Sequence, residues 1–128
     1  MLKMFLKIFT VFAFIGAASC AFAGEQPYNE AQFTKAISHG QPVVVWFHAS
    51  WCPTCRAQQP IVDRLAGSAE MKPVTVFVAD FDKETALRKS LGVAGQSTFV
   101  VFRHGREVTR STGETDEQAI RATWEKAL

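Results

Sequence analysis

Val43-Val44-Val45-Trp46-Phe47-His48-Ala49-Ser50-Trp51-Cys52-Pro53-Thr54-Cys55-Arg56 changes character near its middle. From Pro42 to Phe47 the chain is almost continuously apolar and holds three valines, which suits a short strand covered on both faces. From Cys52 to about Leu65 the pattern becomes helical, with Ile61, Val62 and Leu65 as core contacts. Pro60 is expected to bend this helix or to end its first part. Two cysteines, spaced C-x-x-C, thus stand where a strand hands over to a helix.

That location carries chemistry. The first amides of a helix have no intrahelical partner, and the helix dipole is positive there. A thiolate at this end is stabilised, so its pKa falls below the ~8.5 of a free cysteine. Cys52, expected at the exposed tip, is the candidate nucleophile. Cys55, one turn inwards, is placed to attack a mixed disulfide formed by Cys52. Pro53 fits the first turn, where no amide donor is needed. Arg56 adds a modest positive charge, and Trp51 reads as a rim for partner docking.

The chain has 128 residues and three cysteines, at positions 20, 52 and 55. The close pair closes a tiny loop and constrains the unfolded chain little, so it is a poor structural staple. A zinc site usually takes four ligands, and His39, His48 and His104 are scattered along the sequence. Redox exchange is therefore the main reading. A metal-binding or metallochaperone module using Cys52, Cys55 and His48 is the alternative, and a non-catalytic interaction domain is a third class.

Further elements lie on both sides. Asn29-Glu30-Ala31-Gln32 reads as a capping box opening a helix that carries Phe33, Ala36 and Ile37 on one face and stops at Gly40. Val74 to Ala79 is a second buried strand. Lys83 to Leu91 is a short helix, capped by Asp82 and closed by Gly92. Thr98 to Phe102 and Glu107 to Thr112 form a hairpin about a His104-Gly105 turn. Thr115-Asp116-Glu117-Gln118 is another capping box, opening a last helix with Ile120 and Trp124 inwards. The expected order is αβαβαββα, an α/β fold with a mixed sheet of about four strands and helices on both faces. Trp46, Phe47, Phe77 and Phe99 are expected in its core.

Residues 1–23 read differently. Lys3 and Lys7 precede an apolar run from Ile8 to Ala18, and Ala21-Phe22-Ala23 ends it as a small-x-small cleavage site. This is the order of a secretory signal peptide. The apolar run is short against the ~20 residues that span a bilayer. Cys20 lacks a good lipidation context, because Ala17 stands where leucine is preferred. Cleavage after Ala23 would leave residues 24–128 as one domain, with Lys3, Lys7 and Cys20 lost. The 14 basic residues become 12, against 12 acidic ones. No basic patch for nucleic acid remains.

The segments Val43–Arg56, Val76-Phe77-Val78-Ala79-Asp80-Phe81-Asp82 and Leu91-Gly92-Val93-Ala94-Gly95-Gln96-Ser97-Thr98-Phe99-Val100-Val101-Phe102 together resemble the thioredoxin family over nearly all of residues 24–128. The resemblance implies a sheet of four or five strands, a buried resolving cysteine and exchange with protein disulfides. No organic cofactor is implied. Few residues precede the first helix, so the family's N-terminal strand is expected to be absent.

Departures from the family pattern surround the cysteines. Pro53-Thr54 replaces the usual Gly-Pro, Trp46 replaces a buried acid, and His48 stands where tryptophan is usual. Ser97 replaces the cis-proline that faces the sulfurs. The Gln96–Ser97 bond is expected to be trans, since a cis bond before a non-proline residue costs about 2.5–4 kcal/mol. The Ser97 hydroxyl is expected to bond to the Cys52 thiolate. Trp51, Pro53, Thr54, Ser97 and His48 would shape the site, with Trp51 and Gln96 meeting a docked substrate. The whole reads as a specialised, exported, periplasmic member, monomeric, exchanging disulfides with protein substrates and with a membrane-bound redox partner.

Overall fold

The computed structural model describes residues 24–128. The proposed signal peptide lies outside the described residues.

Nine elements follow in order: β1 (Gly24–Pro27), α1 (Glu30–Ser38), β2 (Val43–His48), α2 (Pro53–Ala66), β3 (Thr75–Asp80), α3 (Thr85–Leu91), β4 (Thr98–Arg103), β5 (Arg106–Thr112) and α4 (Glu117–Glu125). The five strands form one sheet in the order β1-β3-β2-β4-β5. β3 runs parallel to both β1 and β2, whereas β4 runs antiparallel to β2 and β5. The mixed sheet is as expected.

The N-terminal strand is a correction. β1 exists, and Gly24 to Pro27 pair with Thr75 to Val78. Four residues suffice, because β3 presents a free edge whose amides and carbonyls need partners. Nothing in Gly24-Glu25-Gln26-Pro27 marks a strand, since its composition is poor for one. Its ladder with β3 supplies what its side chains do not.

β2 is central and fully covered, with every residue from Val43 to Phe47 at 0% exposure. Register divides its side chains between two faces. Val45 lies beside Phe77 and Val100, while Trp46 lies beside Phe99 and Val78. On the first face Phe33 of α1 meets Phe77 and Phe102 edge-on. On the second, Trp46 stacks on Phe99, which meets Trp124 of α4 edge-on. Helices thus cover both faces. Ile61, Val62, Leu65, Ile120 and Trp124 are all buried, as their spacing indicated.

Local signals held with shifts of a residue or two. Asn29 caps α1 by accepting from the Gln32 amide. At α4 the cap is Asp116 rather than Thr115, accepting from the Ala119 amide. α2 runs through Pro60 without ending there. At the hairpin, His104 and Gly105 have φ of 51° and 79°. Both central residues of a two-residue loop are left-handed, which matches the right-handed twist of the strands it joins.

α3 begins at Thr85, and Asp82 does not cap it. The carboxylate of Asp80 instead accepts from the amides of Asp82 and Lys83. This turn frees Asp82 for another partner beside the cysteines.

Candidate active site

The strand β2 ends at His48, and Ala49 to Trp51 turn the chain into α2. Cys52 is the N-cap of α2 and Pro53 occupies its first turn. The Cys52 sulfur accepts from the Cys55 amide at 3.2 Å. An orphan donor of the helix end is therefore satisfied by the thiol itself.

This bond corrects the expectation of an exposed Cys52. The residue is only 1% exposed, because its sulfur turns in over the first turn of α2 to accept the amide. Cys55 is buried as expected, and both are free thiols. The exposed group is Trp51, at 53%. Its indole N–H donates to Asp82 Oδ2 at 2.7 Å, which orients the ring at the rim. Arg56 is exposed and donates to the Ser50 carbonyl.

The two thiols have opposite proton affinities. Burial pushes Cys52 up, but bonds from the Cys55 thiol, the Cys55 amide, the Gln96 side chain and the Thr54 amide outweigh it, and the net shift is down. Burial, the bond to Cys52 and the Cys52 charge raise Cys55 to about 11, against smaller help from the backbone of Ala49 and Ser97. Titration of the reduced protein should show a first thiol inflection below the free-cysteine value of ~8.5. The second should lie at about 11. The pair titrates as one coupled system. Linkage sets the signs: the depressed Cys52 adds stability as pH rises towards its unfolded value. The raised Cys55 removes stability as pH climbs from there to about 11, where the unfolded chain has already released that proton. Thiolate absorbance against pH, with unfolding measured on the same samples, checks both.

Ser97 lies opposite, just before β4. No peptide bond in residues 24–128 is cis, so Gln96–Ser97 is trans as expected. Ser97 pays for that with φ of 57°, a left-handed conformation that costs a non-glycine residue about 1–3 kcal/mol. Its amide donates to the Phe47 carbonyl at 2.8 Å, and its carbonyl accepts from the Gly113 amide at 3.0 Å. The hydroxyl does not serve Cys52. It donates to the Gln96 carbonyl at 2.6 Å, because the left-handed turn brings that oxygen within reach. The Gln96 side chain, after the Cys55 thiol and amide, helps to lower the Cys52 proton affinity.

His48 closes the end of β2 at a half-buried position. Its ring packs edge-on to Trp46, with centroids 4.8 Å apart. Among the described residues no three His, Cys, Asp or Glu side chains gather where they could hold a metal ion. His39 lies at the end of α1, its Nδ1 2.7 Å from the Lys35 carbonyl, and His104 is in the hairpin turn.

Gln58 is the residue that the sequence reading missed. It is fully buried in α2. Its Oε1 accepts from Trp46 Nε1 at 2.9 Å, and its Nε2 donates to the carbonyls of Ser97 at 3.2 Å and Glu114 at 2.8 Å. A signal was available: Gln58 falls three residues after Cys55 and three before Ile61, on the apolar stripe of α2. A buried amide needs partners, and so does a buried indole N–H.

A central mixed sheet, a strand running into a helix capped by cysteine, and a second thiol one turn further on define a redox domain of thioredoxin-like architecture. The thioredoxin family model matches residues 25–126. The chain is 33% identical to a thioredoxin of Chlamydia muridarum over 95 residues, covering 74% of this chain and 90% of that one. It is 33% identical to thioredoxin Asp f 29 of Aspergillus fumigatus over 94 residues, covering 70% and 86%. The crystal structure of Trxlp from Edwardsiella tarda superposes with a TM-score of 0.74 at 37% identity, covering 77% of this chain and 95% of that one. The chain belongs to the thioredoxin family and is a thiol–disulfide oxidoreductase.

Proposed function

We propose that this enzyme reduces disulfides of protein substrates outside the cytoplasmic membrane, with Cys52 as attacking thiol and Cys55 as resolving thiol. The observation that carries the assignment is the place of the pair: Cys52 caps α2 and its sulfur accepts from the Cys55 amide at 3.2 Å, while Cys55 is buried one turn further in. The Cys55 thiol and the helix-end amides lower the Cys52 proton affinity, and burial raises that of Cys55. The Cys52 thiolate attacks one substrate sulfur. A Cys52–substrate bond forms, the substrate disulfide breaks, and the electron pair leaves on the other substrate sulfur, which takes up a proton. Cys55 then loses its proton and attacks the Cys52 sulfur. The Cys52–Cys55 bond forms and the second substrate thiolate departs and is protonated. The substrate gains two electrons and two protons, and the cysteine pair is oxidised.

The reducing direction is supported by the likeness to thioredoxins, whose cysteine pair is a reductant. Equilibration of the pair against a glutathione series tests this. A potential near the roughly −270 mV of a reducing thioredoxin is expected, and one near roughly −120 mV would make the protein an oxidase. Renewed turnover needs electrons from a partner dithiol, which we place in the membrane.

Export rests on Lys3, Lys7, the apolar run and Ala21-Phe22-Ala23. Mass spectrometry of the exported protein should find Gly24 as its first residue. Intact Met1 in the membrane fraction would overturn cleavage, and a lipid on Cys20 would make the enzyme an anchored one.

A further inference from the structure

Gln58 is the only buried side-chain amide among the described residues, and each of its polar atoms is engaged. Its three partners lie on separate parts of the chain: the strand β2, the turn before β4 and the turn before α4. The middle partner is Ser97, buried and left-handed, whose backbone is close enough to the buried Cys55 to act on its proton affinity. A strained conformation persists only where its surroundings hold it. The Gln58 amide is one of those holds, and Trp46 fixes the amide in turn.

We propose that Gln58 is a positioning residue of disulfide exchange, holding the Ser97 segment against Cys55 through the Trp46–Gln58–Ser97 chain of hydrogen bonds. The proposal rests on Cys55 being the resolving thiol. Without the amide, Ser97 relaxes from its left-handed conformation and its backbone withdraws from the Cys55 sulfur. The affected step is the second one, in which Cys55 attacks Cys52 and releases the substrate thiolate. The first step draws chiefly on the Cys55 thiol and amide, both in α2, and changes little.

The test is rapid-mixing kinetics on residues 24–128 with a protein disulfide substrate, following formation and decay of the mixed disulfide separately. Gln58→Met keeps length and burial and removes the amide. Attack by Cys52 should proceed at the wild-type rate, while resolution slows about tenfold and the mixed disulfide accumulates. Glycine adopts a left-handed φ without strain. Adding Ser97→Gly to Gln58→Met should therefore restore resolution to within about threefold of wild type. Wild-type resolution in a folded Gln58→Met protein, or no recovery in the double variant, overturns the proposal. If Gln58→Met does not fold by circular dichroism, Trp46→Phe serves instead, since it unties the amide at its other end. Slowing of about threefold then supports the proposal, and an unchanged rate overturns it. Cys55→Ser run alongside separates the two ideas. If it accumulates no mixed disulfide, the assignment of the resolving thiol fails, and the role of Gln58 fails with it.

Discussion

Cys52→Ser should reduce exchange on a protein disulfide to the uncatalysed rate, while Cys55→Ser should still attack and then stall. The asymmetry follows from proton affinity and place. Cys52 caps α2 and is the sulfur favoured as a thiolate, so its loss removes the nucleophile. Serine cannot replace it, because a hydroxyl at this site stays protonated and forms no disulfide. In Cys55→Ser the nucleophile remains, but nothing is left to displace the substrate. Covalent Cys52–substrate adducts should then persist and be visible on non-reducing gels. They should release substrate on addition of a small dithiol. Adducts trapped by Cys52→Ser through Cys55 would reverse the assignment. Burial of Cys52 adds a condition. At 1% exposure, the attack needs the groups around the sulfur to yield as substrate docks. Small alkylating agents should accordingly label Cys52 more slowly than its depressed proton affinity alone would allow.

The second large effect is on stability. Trp46 is fully buried on β2, stacked on Phe99, and tied to Gln58. Trp46→Ala should cost about 3–5 kcal/mol for the lost burial and the cavity. Gln58 Oε1 would lose its donor as well, adding about 1–3 kcal/mol. At roughly 4–8 °C per kcal/mol for a domain of this size, melting should fall by at least ~16 °C. Thermal unfolding of the reduced proteins checks this. Trp124→Ala offers a control on the same face, because Trp124 is equally buried but bonds to no such network. If Trp46→Ala costs no more than Trp124→Ala, the Gln58 bond adds nothing to stability.

Trp46 also shows why a resemblance and a structure say different things about one residue. The family places a buried acid here. An indole cannot relay a proton, and its single donor is used on Gln58. No side-chain acid serves Cys55, and it is burial, with the neighbouring Cys52, that keeps its proton affinity high against the backbone of Ala49 and Ser97.

Most of the architecture was legible because it depends on local pattern. Val43 to Phe47 could only be a covered strand, and Ile61, Val62 and Leu65 could only be the buried stripe of a helix. Asn29, Gly40, Gly92 and the His104-Gly105 turn marked element ends through short-range geometry. The cysteine pair at a strand-to-helix junction likewise announced thiol chemistry, since the end of a helix has the same orphan amides wherever it occurs.

What the sequence could not determine depends on partners distant along the chain. β1 is a strand because the edge of β3 lies beside it, and Glu25 carries no sign of Val76. Asp82 looked like a helix cap by position, yet Asp80 closes that turn and Asp82 holds Trp51, 31 residues away. Cys52 looked exposed because helix tips usually are, but its sulfur turned inward to cap the helix. Ser97 looked poised for the thiolate, but its left-handed backbone sent the hydroxyl to Gln96 instead. Gln58 looked like one more polar helix residue until folding carried Trp46, Ser97 and Glu114 to it. Sequence by itself determined where the elements and the thiols are, because propensity, capping and periodicity act within a few residues. Only the tertiary structure decided what faces the sulfurs, because a buried polar group takes its partner from whichever segment packing brings within about 3 Å of it.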